Sequence, residues 1–265
     1  MGNTGENGGH TQLMKGFDLT GKVAIVTGGN GGIGRGIAIG LAQAGSDLVI
    51  AARNEEKTAR VIEEIKTLNR RCLGIQCDVN NYDDIKTTVE TTLQEFGGLN
   101  ILINNAGVSG GGLPQSMSEE LWDRVVDTNL KASFQFCQVA YPALLKVGGG
   151  KIINIGSEYS IFGSAMAVHY AASKGGVIQL TKSLAVAWAK DNIQVNAIVP
   201  GWFPTDITAP VIENEAFYQS IIQRTPAGRF GEPNELAGAA IFLSSAASDF
   251  ITGQSIVVDG GYSVM

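Results

Sequence analysis

Several kinds of residue are scarce in this chain, and each scarcity excludes a class of protein. Only 3 of its 265 residues are cysteine and only 2 are histidine. The cysteines form no CxxC pair and no ligand cluster with the histidines, which argues against a structural zinc site and against a disulfide framework. We therefore predict no metal, and we expect Cys72, Cys77 and Cys137 to be buried or semi-buried free thiols.

Positive charge and long apolar runs are missing as well. The net charge of −6 argues against a surface for nucleic acid or for an anionic membrane. No stretch approaches the roughly 18 consecutive apolar residues that a membrane-spanning helix needs. Residues 1–16 lack the apolar core of a secretory signal, and we interpret them as a flexible tail. Together these absences predict a cytoplasmic protein with no membrane or nucleic-acid partner.

What the chain does contain is a regular alternation of apolar, strand-like runs with helical patterns. This alternation predicts an α/β fold: a single domain over residues 17–265 with a Rossmann-type doubly wound parallel sheet and helices on both faces. The segment 204–232 interrupts the pattern, contains three prolines and is predicted to be a substrate loop. The predicted strands are Val23–Val26, Asp47–Ala51, Cys72–Gln76, Ile101–Ile103, Lys151–Ile155, Gln194–Ile198 and Ser255–Val258.

A glycine-rich stretch, Thr27–Gly34, connects the first predicted strand to the first predicted helix. Gly28 permits a tight turn, Gly32 allows the backbone to approach a pyrophosphate, and Gly34 allows the helix and strand to pack closely. The stretch therefore predicts a dinucleotide site, and we include Asn30 and Ile33 of the same loop among its residues.

The end of the second strand indicates which dinucleotide is bound. A carboxylate there would bond the ribose 2′-hydroxyl of NAD, but this chain has Ala52 followed by Arg53. A guanidinium suits a 2′-phosphate, so NADP(H) is favoured and NAD(H) stays possible. Asp78 and Val79 follow the third strand and are predicted to contact the adenine. The alternative is that Asp78 only caps a helix.

The chemistry is indicated by Tyr170 and Lys174, which are four residues apart and share a face of a helix, with Ser157 upstream. An ammonium beside a phenol favours the phenolate and lowers its pKa from about 10 toward neutrality. Such a phenol exchanges a proton with an alcohol or carbonyl oxygen, to which the serine can donate a hydrogen bond.

The order of these motifs over nearly the whole chain after residue 16 resembles the short-chain dehydrogenase/reductase family. Further motifs of the resemblance are Asn104-Asn105-Ala106-Gly107, Asn129, Pro200-Gly201 with Thr205, and Asp259-Gly260-Gly261. Within the family, the stretch from Gln223–Gly231 to Asp259-Gly260-Gly261 looks like the gluconate and deoxygluconate dehydrogenase branch.

The resemblance implies a role for each of these residues. Tyr170 exchanges the proton, Lys174 lowers its pKa and bonds the nicotinamide ribose, and Ser157 polarises the substrate oxygen. Asn129 holds a water that links Lys174 to solvent, unless it is a structural asparagine that bends its helix. Thr205 contacts the carboxamide. The residues implied to lie along the cofactor are Asn104, Asn105, Ala106, Gly107, Pro200 and Gly201, together with Tyr170 and Lys174.

These features predict an NADP(H)-dependent oxidoreductase that interconverts a secondary alcohol and a ketone. The small-molecule substrate is a neutral alcohol, a polyol or a sugar derivative. An acidic substrate is less expected for two reasons. The resembled branch often carries an arginine just after the Asn-Asn-Ala-Gly motif, where this chain has Val108–Gly112, and Glu158 adds negative charge near the site if its side chain points inward. The alternatives are a 3-oxoacyl thioester reductase and a non-catalytic NADP(H)-binding sensor or scaffold.

Other residues are candidates for the pocket or for a subunit contact. Glu158 and Tyr159 either line the pocket or face away from it, and His169 is expected at a pocket rim or subunit contact. Trp202 and Phe203 either wall the nicotinamide end or pack in the core. The resemblance also implies a homotetramer, for which Ile178, Leu184 and Trp188 offer one helix face, unless they belong to the core of the chain.

Overall fold

The computed structural model describes residues 15–265 and contains one seven-stranded parallel sheet in the order β3-β2-β1-β4-β5-β6-β7. Each strand coincides with an apolar run of the sequence. The strands are β1 (Val23–Thr27), β2 (Asp47–Ala52), β3 (Cys72–Gln76), β4 (Ile101–Asn104), β5 (Gly150–Ile155), β6 (Ile193–Pro200) and β7 (Ser255–Val258).

Helices connect the strands and cover both faces of the sheet. They are α1 (Gly32–Gln43), α2 (Glu55–Thr67), α3 (Tyr82–Phe96), α4 (Glu119–Val126), α5 (Ala132–Lys146), α6 (Val168–Trp188), α7 (Ala209–Glu213), α8 (Glu215–Arg224) and α9 (Ala237–Ser244). Among them, α7 and α8 lie inside the predicted substrate segment 204–232. No helix within residues 15–265 has the length and apolarity needed to cross a membrane.

Two apolar clusters hold the layers together, one on each face of the sheet. Helices α1, α2 and α9 contribute to the first cluster through side chains such as Ile37, Ile65 and Leu243. Helices α3, α5 and α6 contribute to the second, in which Phe136 is almost fully buried. Every residue of β1, β4 and β6 is buried, as expected for parallel strands covered on both sides.

The strand order places a crevice where the connections reverse direction. Strand β1 lies between β2 and β4, so the loops after β1 and β4 diverge at the carboxyl edge of the sheet. This position is where open α/β sheets bind ligands. The predicted fold class is therefore confirmed, and the sheet brings the glycine-rich loop to Asn104–Gly107.

Three smaller expectations can be compared with this fold. Cys77 and Cys137 are buried free thiols and Cys72 is a half-buried one, as predicted. The helix face that was suggested as a contact for a partner subunit packs within this chain instead. Leu184 is in the second apolar cluster, and the centre of the Trp188 ring lies 4.9 Å from that of Tyr141.

The predicted tail falls mostly outside the described residues, which begin at residue 15. Within the described part, the carbonyl of Gly16 accepts a hydrogen bond from the Ala247 amide at 3.0 Å.

Candidate active site and nucleotide groove

The glycine-rich loop is shaped by close contacts that only glycine permits. Gly28 and Gly32 have φ angles of +62° and +47°, in the left-handed region. A Cβ on Gly34 would lie 2.3 Å from the carbonyl oxygen of Gly28, so any side chain there would force the loop and helix α1 apart. The roles predicted for Gly28 and Gly34 thus have a direct steric basis.

The loop is held in place by the segment after β4. The side-chain amide of Asn105 donates to the carbonyl oxygens of Thr27 at 2.9 Å and of Gly28 at 3.2 Å. The Thr27 hydroxyl in turn accepts from the backbone amides of Asn105 at 2.9 Å and of Ala106 at 3.0 Å. Asn105 therefore supports the cofactor loop, and Thr27 is a bracing residue that the sequence analysis did not single out.

The side chain of Asn104, which was expected to lie along the cofactor, points away from the groove. Its buried amide donates to the Asn154 side-chain oxygen at 2.8 Å and lies 3.2 Å from the sulfur of Cys137. The side chain of Asn104 thus joins β4 to β5 and α5. The backbone of this segment, and not the side chain of Asn104, faces the groove.

A groove of about 750 Å³ runs over the carboxyl edge of the sheet and brings seven of the predicted cofactor residues together. Asp78 accepts from the Asn80 amide at 3.0 Å, while the cap of α3 is Asn81, so Asp78 is not a helix cap. The predicted residues that line the groove are Gly28, Asn30, Arg53, Asp78, Val79, Ala106 and Gly107.

The other predicted cofactor residues are not among those that line this groove: Gly32, Ile33, Gly34, Asn105, Tyr170, Lys174, Pro200, Gly201 and Thr205. A Cβ on Gly32 would lie 3.0 Å from the Thr205 methyl group, so the glycine loop and Thr205 meet directly. A Cβ on Gly201 would lie 2.7 Å from the Cα of Asp259, which explains glycine at that position by close packing. Pro200 ends β6 beside them, and Ile33 begins the packing of α1 on the core.

The adenosine end of the groove fits a 2′-phosphate. Arg53 lines the groove, is exposed and forms no ion pair with any residue of the 15–265 range. The first residue beyond the buried end of β2 is this arginine, where an acidic side chain would repel a phosphate. The chain's own residues therefore accommodate NADP(H), which supplies a nicotinamide ring that accepts or donates hydride.

The three residues predicted to act on the substrate, Ser157, Tyr170 and Lys174, lie near the carboxyl end of β5. Ser157 follows β5 and begins a 3₁₀ turn, Glu158–Ser160, in which its hydroxyl accepts from the Tyr159 amide at 3.2 Å. Tyr170 and Lys174 lie on α6, and the Lys174 ammonium is 5.8 Å from the centre of the Tyr170 ring. This ammonium donates to the carbonyl oxygen of Ile155 at 2.7 Å.

The protonation equilibria of this pair differ from the sequence expectation. Burial raises the pKa of Tyr170 to about 12, opposed by hydrogen bonding with Ser157. Burial lowers the pKa of Lys174 to about 8. The lysine was expected to lower the tyrosine pKa, but its ammonium is directed at Ile155, so in this state loss of water dominates.

Asn129 lies in a π-helical turn, Asp127–Lys131, between α4 and α5. Its side chain accepts from the Val108 amide at 2.8 Å and donates to the Val108 carbonyl and to the Ser173 hydroxyl, both at 3.0 Å. A Cβ on Gly107 would lie 3.2 Å from Asn129 Oδ1 and 3.6 Å from Lys174 Nζ. The asparagine thus fixes the loop after β4 directly beside the lysine.

Aromatic rings form the wall beside Tyr170. The Tyr159 ring packs edge-on against Tyr170 at 6.1 Å and against Trp202 at 6.3 Å. Trp202 in turn contacts Phe230 at 5.9 Å, whereas Phe203 is buried in the first apolar cluster. Trp202 therefore belongs to the wall, and Phe203 to the core.

Two further candidates are buried more deeply than the sequence suggested. Glu158 is only 3% exposed, and burial raises the pKa of its carboxyl to about 8, which favours the protonated form at neutral pH. His169 is fully buried, and a Cβ on Gly110 would lie 3.4 Å from its Nε2. Burial lowers the pKa of His169, and the expectation that it stands at a rim was wrong.

Comparison with known proteins agrees with this geometry. A family model described as Enoyl-(Acyl carrier protein) reductase matches residues 28–263. The chain is 42% identical over 251 residues to 2-dehydro-3-deoxy-D-gluconate 5-dehydrogenase of Escherichia coli (strain K12), which covers 94% of this chain and 98% of that protein. This chain belongs to the short-chain dehydrogenase/reductase family.

Two other members of the family are informative. A 3-oxoacyl-(acyl-carrier-protein) reductase of Staphylococcus aureus (strain Mu50 / ATCC 700699) is 39% identical, with 91% of this chain and 97% of that protein covered. The crystal structure of a gluconate 5-dehydrogenase from Burkholderia cenocepacia J2315, in complex with NADP and tartrate, matches with a TM-score of 0.91 and 37% identity. That match covers 96% of this chain and 99% of that chain.

Family membership and the groove together confirm the predicted enzyme class and cofactor. The chain is a short-chain dehydrogenase/reductase that interconverts a secondary alcohol and a ketone with NADP(H). The branch resemblance is confirmed as well, because gluconate and deoxygluconate dehydrogenases are among its relatives.

Proposed function

We propose that the substrate is a sugar acid, oxidised at a secondary hydroxyl or formed by reduction of the matching ketone. The proposal is supported by the relatives above, one named for a deoxygluconate derivative and one for gluconate. It departs from the sequence analysis, which expected a neutral alcohol, a polyol or a sugar derivative rather than an acid.

The observation that carries this proposal is the burial of Glu158, whose side chain is 3% exposed and whose Oε2 has no hydrogen-bond partner among residues 15–265. A carboxylate beside Ser157 would repel an acidic substrate, but burial raises the pKa of this group to about 8. A neutral carboxyl removes that objection and is itself a hydrogen-bond donor. The charge of Arg224 acts on Glu158, and its guanidinium lies 4.1 Å from the Tyr262 ring.

Arg224 is the cation we propose for the substrate carboxylate. It lies at the end of α8, within the substrate segment, and forms no ion pair with any described residue between 15 and 265. Asp259, whose charge also acts on Glu158, accepts from the backbone amides of Gly261 at 2.9 Å and of Ser263 at 2.7 Å. Arg224 thus replaces the arginine that the Val108–Gly112 segment lacks.

In the proposed oxidation, the phenolate form of Tyr170 accepts the proton of the substrate hydroxyl. Bound NADP⁺ would supply the nicotinamide that takes the hydride from the carbon that bears this hydroxyl. Ser157 donates a hydrogen bond to the same oxygen, which becomes the ketone oxygen. Lys174 contributes positive charge beside the tyrosine, and Asn129 fixes the loop against which the substrate lies. In the reductive direction, Tyr170 returns the proton.

The test is the change in nicotinamide absorbance with the purified chain, comparing NADP⁺ with NAD⁺. The panel contains gluconate, 2-dehydro-3-deoxygluconate, neutral polyols, simple secondary alcohols and, for the reductive direction, a 3-oxoacyl thioester. We expect turnover of at least one sugar acid with NADP⁺, with an increased KM in Arg224→Gln. Turnover confined to neutral alcohols or to the thioester would contradict the proposal.

We also propose a cytoplasmic homotetramer. Large apolar side chains of α4, α5 and α6 remain exposed in the single chain, among them Trp122 at 39%, Phe134 at 41% and Val186 at 84%. Exposed apolar side chains of this size mark association surfaces when they are contiguous. Light scattering of the purified chain is expected to give four times the mass of 27.8 kDa, and a monomer would refute it.

A further inference from the structure

One ion pair crosses the nucleotide groove. The ammonium of Lys57 lies 3.1 Å from Oδ2 of Asp206, although the two residues are 149 apart in the sequence. Both residues line the groove. Asp206 directly follows Thr205, so this bond ties the first turn of α2 to the beginning of the substrate segment.

The position of Lys57 is well defined by its surroundings. Its backbone amide donates to the side chain of Asn54, the cap of α2, at 2.8 Å. The amide of Asn30, from the glycine-rich loop, donates to the Asn54 carbonyl and to the Thr58 hydroxyl, both at 3.0 Å. Lys57 therefore stands on a braced helix start that is tied to the cofactor loop.

Lys57 is also placed beside Arg53. Both cations line the same groove, four residues apart in the sequence, at the end where the ribose 2′-position is expected. The side chains of Lys57 and Asp206 are 51% and 94% exposed, so water weakens their attraction. A phosphate monoester, with a charge near −2 and three acceptor oxygens, is a stronger partner for an ammonium than an exposed carboxylate.

We propose that Lys57 is a second ligand for the 2′-phosphate of NADP(H) beside Arg53, and that Asp206 is the carboxylate this phosphate displaces. When a cofactor with a 2′-phosphate binds, Lys57 contacts the phosphate and its ion pair with Asp206 is broken. The beginning of segment 204–232 then loses its link to α2. Cofactors without a 2′-phosphate leave the pair intact. The choice of cofactor is thereby coupled to the segment that borders the substrate.

The test uses the purified full chain and two nucleotide probes, adenosine 2′,5′-bisphosphate and 5′-AMP, with titration calorimetry. We expect Lys57→Gln to weaken the bisphosphate about tenfold, as for loss of a charge-assisted hydrogen bond, and to leave 5′-AMP unchanged. Asp206→Asn should tighten the bisphosphate about threefold because the competing pair is gone. In the Lys57→Gln background, Asp206→Asn should have no further effect.

The matched controls are Lys66→Gln and Glu63→Gln, which break an ion pair of 2.8 Å on the same helix away from the groove. Neither control should change the affinity for either probe, and Lys57→Arg should retain most of the bisphosphate affinity. Equal loss of both probes in Lys57→Gln would overturn the proposal. So would an Asp206→Asn gain that persists without Lys57. Because no substrate is used, the result is independent of the sugar-acid proposal.

Discussion

The nucleotide groove and the substrate side of this enzyme differ in how their polar groups are satisfied. In the groove, the amides of Asn30 and Asn105 and the hydroxyl of Thr27 all bond to neighbouring backbone. On the substrate side, Glu158 Oε2 and the Trp202 indole nitrogen are buried without a hydrogen-bond partner among residues 15–265. Buried polar atoms without partners are costly, so they are rarely retained without a role.

The nucleotide groove and the substrate side are therefore built in different ways. The groove is assembled by short loops that hydrogen bonds from side chains to backbone tie to one another, which suits a cofactor of constant shape. The substrate side is an aromatic wall around Trp202 in which donors and acceptors remain free, which suits recognition of a particular polar substrate. Changes in the groove should therefore act on the fold and the cofactor, and changes on the substrate side on catalysis and pH response.

The largest expected effect concerns Tyr170 on the substrate side. Tyr170→Phe removes the proton acceptor and should lower kcat by about 10³-fold, the middle of the range for general acid–base groups. The affinity for NADP⁺, measured by fluorescence titration, should change little. The control is Tyr82→Phe, an exposed tyrosine of α3. Wild-type turnover in Tyr170→Phe would remove the catalytic assignment.

The next effect tests whether the groove is as rigid as its bonds indicate. In Gly34→Ala, the new methyl group meets the Gly28 carbonyl, where a Cβ would be only 2.3 Å away. We expect a loss of about 3 kcal/mol in the free energy of unfolding, measured with urea, together with weaker cofactor binding. Gly238→Ala in α9, where a Cβ meets nothing within 4 Å, should not destabilise the chain. Equal free energies of unfolding for the two variants would show that the loop accommodates the methyl group without strain.

A smaller effect sharpens the chemistry of the groove. Arg53→Gln removes the exposed guanidinium beside the end of β2 and should raise the KM for NADP⁺ by about 30-fold, as for loss of a bidentate charged contact. The KM for NAD⁺ should stay within about twofold, because NAD⁺ has no 2′-phosphate. Steady-state kinetics with both cofactors give the comparison. A parallel rise for both would mean that Arg53 only supports the fold.

The smallest expected effect is a pH dependence on the substrate side. The folded-state pKa of Glu158 is raised from 4.5 to about 8, so this carboxyl favours folding most at low pH and loses that contribution as pH rises through about 8. In thermal unfolding from pH 5 to pH 9, the wild type should lose about 5 °C relative to Glu158→Gln, which cannot ionise. Parallel curves for the two proteins would contradict the buried, protonated carboxyl.

Much of the molecule could be predicted without coordinates because strands buried on both faces have an unmistakable apolar pattern. The seven predicted strands differ from the observed ones by at most two residues at either end, as with β6, which extends to Pro200. The roles of Gly28 and Gly34 were also predictable because the turn and the close contact depend on the absence of a side chain.

The errors concern side-chain direction. Asn104 and Asn105 are adjacent in one motif, but the first bonds to β5 and the second to the glycine loop, since side chains alternate at a strand end. The sequence pattern fitted an outward-facing Leu184 equally well, but α6 packs this side chain into the second apolar cluster. His169 was expected at a rim, and its burial depends on the loop of Gly110, which has no periodic pattern.

By itself, the sequence determined the sheet, the order of its motifs, the glycine loop and the family to which the chain belongs. These features depend on apolar periodicity and on steric limits that act between near neighbours in the chain. The burial of Glu158, which raises the pKa of its carboxyl, and the pairing of Lys57 with Asp206 come from the tertiary structure. A pKa depends on how much water the whole fold excludes, and an ion pair 149 residues apart depends on where two distant segments meet.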